Sequence, residues 1–443
     1  MPPPPPHATL PSDPLPAGML PGCALPNTPL ADVLPGINAC VHCGFCLQAC
    51  PTYLVHDDEN DSPRGRIFLM RSLLEGTVGL DDPDVNEHMD RCLGCRACET
   101  VCPSGVPYGQ LLEATRATLA TERPIPMLAR IILFVFSRPW LLTPFMLASR
   151  LLAATPIPSL LSRTKGRLGF AAAMLASTSR GIERGAYRAR GSGSRGSAAL
   201  LSGCVMEGLF TETNRATERV LIANAYAVVA APGQRCCGAL HAHSGDLAGA
   251  RELARRNIVA FERSGADFIA VNAAGCGAIM KEYGHLLRDD PEWNERAAAL
   301  AARVRDVSEL LAAAGPRPGS ALPIRVAYDA PCHLHHAQRI MQAPLAVLAA
   351  IPKLELVPLH DSDRCCGAAG IYNLIEPETS DLVLEEKLVN VHEAAVSFIT
   401  TGNPGCMMQI GAGLIRDGSN TRVVHPVDLL DASYAAGGGA EGQ

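Results

Sequence analysis

The chain has 443 residues, a formal net charge of −6, 48% apolar residues and 17 cysteines. That length holds two or three domains with substantial cores. The mild negative balance gives no basic face overall, so neither nucleic acid nor anionic lipid is favoured as a partner. A disulfide framework belongs to small secreted chains, and this one is large and opens without a signal segment. Reduced, cofactor-ligating cysteines in a cytoplasmic protein fit best. Residues 1–30 are Pro-rich, lack Lys and Arg, and read as a disordered, partly polyproline tail. Cys23 lies outside every motif and receives no role.

Residues 31–122 carry two runs of one pattern. Cys40, Cys43, Cys46 and Cys50-Pro51 are followed by Cys92, Cys95, Cys98 and Cys102-Pro103. This C-x2-C-x2-C-x3-C-P spacing is that of bacterial two-cluster ferredoxins. There, three thiolates wrap three corners of one iron–sulfur cube and the fourth, before the proline, completes the other. The pattern therefore implies two [4Fe–4S] clusters. Cluster one takes Cys40, Cys43, Cys46 and Cys102; cluster two takes Cys92, Cys95, Cys98 and Cys50. Paired structural zinc sites would need only two C-x2-C pairs per metal and leave cysteines and both prolines unexplained. His42, inside the first motif, either tunes a cluster through hydrogen bonding or is simply solvated. The insert between the motifs has helical apolar spacing at Arg64–Glu75, as does Tyr108–Thr121 after them, so a helical domain is expected.

Residues 123–197 form a connector. Met127 to Leu161 is strongly apolar, but Arg138-Pro139, Pro144 and Arg150 interrupt it, and no run reaches the eighteen residues of a membrane helix. Two short helices packed in a core or on a partner are expected, with shallow insertion at a membrane surface as the competing reading. A basic, Gly/Ser-rich stretch, Arg188–Ser197, reads as a linker.

An internal repeat fills the remainder, with domains expected at 198–320 and 321–435. Ser202-Gly-Cys204 is answered by Ala330-Pro-Cys332, Arg235-Cys236-Cys237-Gly238 by Arg364-Cys365-Cys366-Gly367, and Gly275-Cys276 by Gly405-Cys406. Each copy reads as three strands alternating with helices. The strands are expected at Ala199–Leu201, Ala227–Ala230 and Phe268–Val271, then at Arg325–Tyr328, Leu354–Val357 and Val396–Thr400. Such βα units imply a parallel sheet, with every cysteine at its carboxyl edge, where open α/β sheets place ligands. Cys204, Cys236, Cys237 and Cys276, then Cys332, Cys365, Cys366 and Cys406, are candidate ligand sets for further iron–sulfur. Free cysteine also packs well in cores, so inherited buried thiols are the competing reading. His333, His335 and His336 are expected at the surface or behind the ligands. No dinucleotide fingerprint, P-loop, nucleophile elbow or HExxH is present, so no catalytic residue for a hydride abstraction is assigned.

Two ferredoxin motifs followed by two Cys-Cys-Gly repeats resemble the iron–sulfur subunit of glycolate oxidase, over roughly Ala31 to the C-terminus. Related subunits serve lactate oxidation, anaerobic glycerol-3-phosphate dehydrogenase and heterodisulfide reductase. The resemblance implies a helical two-cluster ferredoxin domain followed by two duplicated α/β Cys-Cys-Gly domains. It implies an electron carrier, not catalytic alone, fed by an FAD-containing dehydrogenase subunit that oxidises glycolate or D-lactate. Electrons then pass to quinone or another membrane acceptor. The expected location is cytoplasmic, attached peripherally to the cytoplasmic face of the inner membrane, with no substrate bound directly. In heterodisulfide reductases a fifth cysteine closes each repeat. Here those positions are Ile279 and Gln409, which weighs against the alternative of a disulfide-cleaving catalytic subunit.

Overall fold

The computed structural model describes residues 23–179, 181, 182, 187 and 189–437. The expected tail lies outside these up to residue 22, as does Arg188 at the start of the linker. Residues 23–30 depart from the tail reading. The Ala24 amide donates to the Leu74 carbonyl at 2.8 Å, and Leu30 is fully buried in the ferredoxin core. Apolar Leu25 and Leu30 find a partner surface that composition alone does not reveal.

The ferredoxin domain is helical. Helix α1 (Pro63–Glu75) starts where the Ser62 hydroxyl caps the Gly65 amide and Pro63 presets the first turn, and it stops at left-handed Gly76. Its buried stripe, Ile67, Met70, Leu73 and Leu74, shares one apolar core with Leu111 and Leu112 of α2 (Tyr108–Leu119). The connector is four helices: α3 (Met127–Phe136), α4 (Pro139–Ala153), α5 (Ile157–Leu161) and α6 (Arg167–Ser177). No single described helix is long and apolar enough to cross a membrane; α3 and α4 together have the length but bend by 101°. Packing of the Met127–Leu161 helices in a core is not what the structure shows, whereas α6, beyond that segment, buries Phe170, Ala173 and Ala176. Along α3, α4 and α5 most large apolar side chains stay exposed.

Both repeats are parallel four-stranded sheets of one topology. Strands β1 (Ser197–Leu200), β2 (Ala227–Val229), β3 (Phe268–Val271) and β4 (Val304–Asp306) lie in the order β2-β1-β3-β4. Strands β5 (Arg325–Tyr328), β6 (Glu355–Val357), β7 (Phe398–Thr400) and β8 (Arg422–Val424) lie in the order β6-β5-β7-β8. Register repeats as well: Ser197 faces Ala227 as Arg325 faces Glu355, and Ala198 faces Phe268 as Val326 faces Phe398. Each sheet thus has four strands where three were expected. The fourth is three residues long and carries no cysteine, so neither periodicity nor a landmark marks it.

The copies are fastened to each other by buried polar contacts. Helix α7 (Thr211–Ala223) sends Arg219 to Asp431, at 2.6 Å and fully buried, on the helix after β8. Asn224 donates to the Tyr434 hydroxyl, and Ala274 N–H to the Gly402 carbonyl. In the second copy, Lys387 on helix α8 (Pro377–Ala394) is almost completely buried and pairs with buried Asp329 at 2.9 Å. Its ammonium also donates to the carbonyls of Asp361 and Ser362. Lys387→Met leaves the Asp329 charge buried without its partner, which costs about 3–5 kcal/mol. Denaturant unfolding of this variant should show that loss, and an unchanged midpoint would refute the assignment.

Candidate functional site

The two ferredoxin motifs adopt one backbone. Each has a left-handed residue just before its second cysteine (His42, Gly94) and another just after it (Gly44, Arg96). These reversals curl the loop so that its three thiols converge. Cys50 then caps the Pro51–His56 helix, and the proline's missing N–H falls where no partner is needed. The outcome is two cavities. One is lined by Cys40, Cys43, Cys46 and Cys102, with Cys98 at its wall; the other by Cys50, Cys92, Cys95 and Cys98. In both, the cysteine preceding a proline stands with the triplet of the other motif. Four convergent thiols per cavity are a complete donor set for a cubane cluster, so the residues fit the group. Burial pushes the Cys46 thiol up to about 11, and raises Cys50 and, more strongly, Cys98. Burial thus favours the protonated form of Cys46, Cys50 and Cys98, so metal binding at these thiols expels protons.

The cavities differ in access. Cys43 is exposed, and Cys40, Cys46 and Cys102 are half-buried, whereas Cys50, Cys92, Cys95 and Cys98 are all buried. Val41 and Phe45, each 67% exposed, flank Cys43 as an apolar lip. Against the inner cavity stands Arg66, 0% exposed. It donates to Thr52 Oγ1 at 3.0 Å, to Asp61 Oδ1 at 2.9 Å and to the His88 carbonyl at 2.6 Å. Thr52 Oγ1 is 3.3 Å from Cys50 Sγ, and the Tyr108 hydroxyl 3.6 Å from Cys92 Sγ. Sequence reading passed over this Arg66–Asp61 pair. An Arg inside an apolar helical stripe was the signal available.

The repeat cysteines gather at the carboxyl ends of their sheets. In the first copy Cys237 Sγ lies 3.2 Å from Cys276 Sγ, Cys204 touches Cys236, and Cys236 touches Cys237. In the second, Cys365 contacts Cys332 and Cys366, and Cys366 contacts Cys406. Asn403 Nδ2 donates to Cys406 Sγ at 3.4 Å. The fifth positions are closed by packing. Ile279 lies in the core, and the buried Gln409 amide is held by Asn373 and Ser380 at 2.8 and 2.9 Å. A thiol pair meets across the domain boundary: Cys95 of the inner ferredoxin cavity lies in hydrogen-bonding contact with Cys365, a contact that, together with burial, raises its thiol well above the ordinary value.

The three histidines expected at the surface or behind the ligands stand in different surroundings. His336 is buried, not superficial. Its Nε2 donates to the Asp363 carbonyl at 2.9 Å, so Nδ1 accepts from Thr100 Oγ1 at 2.8 Å, tying the second repeat to the ferredoxin domain. His333 is half-buried with Nδ1 3.5 Å from Cys332 Sγ, and His335 is half-buried. The ring of His42 is exposed and its carbonyl accepts from Arg64 at 3.4 Å. A further cleft, also unforeseen, runs from Pro126 and Ala129 past Arg116, His243 and Tyr372 to Cys92.

Fold and donor sets define a class: an iron–sulfur electron-transfer subunit with a ferredoxin-type domain fused to two cysteine-rich repeats. Residues 36–106 match the 4Fe-4S dicluster domain, and residues 198–281 and 326–411 match the cysteine-rich domain. The chain is 38% identical over 415 residues to the probable glycolate oxidase iron–sulfur subunit of Bacillus subtilis (strain 168), covering 88% of this chain and 92% of that one. It is 33% identical to the glycolate oxidase iron–sulfur subunit of Escherichia coli (strain K12), covering 89% and 93%. Lactate utilization protein A of Geobacillus thermodenitrificans is 30% identical over 53% of this chain and 98% of its own length. The chain belongs to the glycolate oxidase iron–sulfur subunit family.

A cluster seated among Cys50, Cys92, Cys95 and Cys98 faces the Arg66 cation, which favours its reduced, more negative state. Arg66→Met should make that centre's midpoint potential more negative by roughly 100 mV, using an effective dielectric near 20. Arg66→Lys should recover part of the shift. Redox titration followed by EPR reads this out, and an unshifted potential in a folded, loaded Arg66→Met variant would refute it.

Proposed function

We propose that this chain is the electron-transfer subunit of a multi-subunit glycolate dehydrogenase. An FAD-containing partner oxidises glycolate to glyoxylate, and this chain carries the electrons onward to quinone or another membrane acceptor. D-lactate as the substrate of the same complex is the alternative, since the substrate does not touch this chain. Location on the cytoplasmic face of the inner membrane follows from such an acceptor. In this reading Cys40, Cys43, Cys46 and Cys102 hold one [4Fe–4S] cluster and Cys92, Cys95, Cys98 and Cys50 the other. Cys204, Cys236, Cys237 and Cys276, and Cys332, Cys365, Cys366 and Cys406, are ligand sets for further iron–sulfur. Bound clusters supply one-electron chemistry; the protein supplies spacing, burial and hydrogen bonds to sulfur.

The contact between Cys95 and Cys365 carries the reading. It puts the second repeat's thiols against the inner ferredoxin cavity, which shares Cys98 as a wall with the outer one. The outer cavity reaches the surface at Cys43, between Val41 and Phe45. The proposed ligand residues thus run from the second sheet edge to an exposed apolar lip suited to a redox partner. Ile279 and Gln409 leave no fifth thiol, so disulfide cleavage is not expected.

Protein purified without oxygen should contain about eight iron and eight sulfide from the two motifs, and more if the repeats load. Cys50→Ala should damage the centre held by Cys92, Cys95 and Cys98 while sparing the other in EPR. Loss confined to the outer centre would show that ligation is local. The isolated chain should not turn over glycolate, and adding its flavoprotein partner should restore dye-linked activity. Turnover by the chain alone would overturn the carrier assignment.

A further inference from the structure

We propose that the connector helices α3 to α5, with the first turn of α6, form a lipid-docking surface that inserts shallowly into an anionic membrane leaflet. Thirteen of the twenty exposed large apolar side chains among the described residues lie between Met127 and Leu168. An apolar concentration of that size on a water-soluble face marks a contact surface. The exposure follows helical stripes. On α3, Met127, Ile131 and Phe134 face outward while Ala129 and Leu133 are buried. On α4, Trp140 (69% exposed) and Leu151 (65%) face outward while Met146 is buried, and Leu160 on α5 is 65% exposed.

Charge identifies the occupant. Between Arg123 and Arg180 the sequence has eight Arg and Lys residues and no Asp or Glu, although the whole chain is net acidic. The overall balance conceals this local basic face. Arg130, Arg150, Arg163, Lys165 and Arg167 are exposed, and of the described cations in the segment only Arg123 has an ion-pair partner, Asp90. An apolar stripe bordered solely by cations, with an exposed Trp, complements acyl chains beneath anionic headgroups. At ten and fifteen residues neither helix alone spans the roughly 30 Å hydrocarbon core, and the 101° bend between them suits helices lying in the interface.

The surface is mounted rigidly. Met146 packs so closely on Gly208 in the first repeat that a Cβ there would sit 2.5 Å from its sulfur. Ser177 of α6 presses on Gly411 of helix α9 (Pro404–Arg416) in the second. Docking therefore orients both sheets and the cleft at Cys92 relative to the bilayer. The proposal is independent of which hydroxy acid the complex oxidises.

The test uses the full-length, cluster-loaded protein and vesicles of pure phosphatidylcholine or of phosphatidylcholine mixed with phosphatidylglycerol. The protein should float with the anionic vesicles, bind neutral ones weakly, and be released by high salt. Arg150→Gln, Arg163→Gln and Lys165→Gln together should weaken binding by about fivefold per charge removed. Trp140→Ser with Leu151→Ser should abolish it. Both variants alter exposed residues, so iron content and visible spectrum should be unchanged; if the apolar variant fails to fold, the charge variant decides. Failure to bind anionic vesicles, or binding indifferent to the charge variant, would overturn the proposal. If vesicles are ignored but Trp140→Ser with Leu151→Ser no longer captures the flavoprotein partner, the face is a protein interface and the lipid assignment is wrong.

Discussion

Convergence of thiols is the constraint on which the rest of the molecule depends. Iron bound by cysteine needs four soft donors at one point, and a C-x2-C-x2-C loop brings three of them. The ferredoxin domain meets the requirement by exchange: Cys50 and Cys102 each stand with the other motif's triplet, so neither loop is complete without its partner. The repeats meet it by topology. Parallel βα units bring every strand's following loop to one edge, which collects Cys204, Cys236, Cys237 and Cys276 from three separate loops. Helical caps, sheet order and the seam between copies all serve to hold those edges still.

Duplication has not left two equivalent sites. Beside the first, the neutral Asn257 amide bonds the Cys236 carbonyl and the Tyr283 hydroxyl. Beside the second stands the buried Lys387–Asp329 pair. Among the described residues only the second touches a ferredoxin cysteine, and it is fastened there by Tyr372 to the Arg91 carbonyl at 2.7 Å and His56 to Thr379 at 3.0 Å. The first copy reaches the ferredoxin domain at a distance from its thiols, through the Arg96–Glu282 and Glu113–His243 pairs. Four thiols in each copy thus stand in unequal electrostatic surroundings.

A gradient of burial runs through the ferredoxin domain, from four buried cysteines to one exposed at Cys43. Buried centres are protected from solvent and tuned by groups such as Arg66, while an exposed one lets a partner approach. The connector presents the opposite case: apolar side chains kept in solvent by helices that are too short and too bent to hide them.

Much of this was legible in the sequence, for one reason: metal ligation fixes residue identity and spacing. The sixteen motif cysteines, the helical character of α1 and α2 and six of the eight strands could be read because each is tied to a repeating pattern or a landmark. Strands β4 and β8 could not, being three residues long and defined only by the neighbour they pair with. The packing of residues 23–30, the burial of His336 and the Arg66–Asp61 pair depended on surfaces supplied from far along the chain. So did the meeting of Cys95 with Cys365, which lie 270 positions apart in sequence and belong to different domains. Local spacing determines which thiols can share a metal, because a loop's reach is short. Which of those groups then stand side by side is settled by how whole domains pack, and only the tertiary structure decides that.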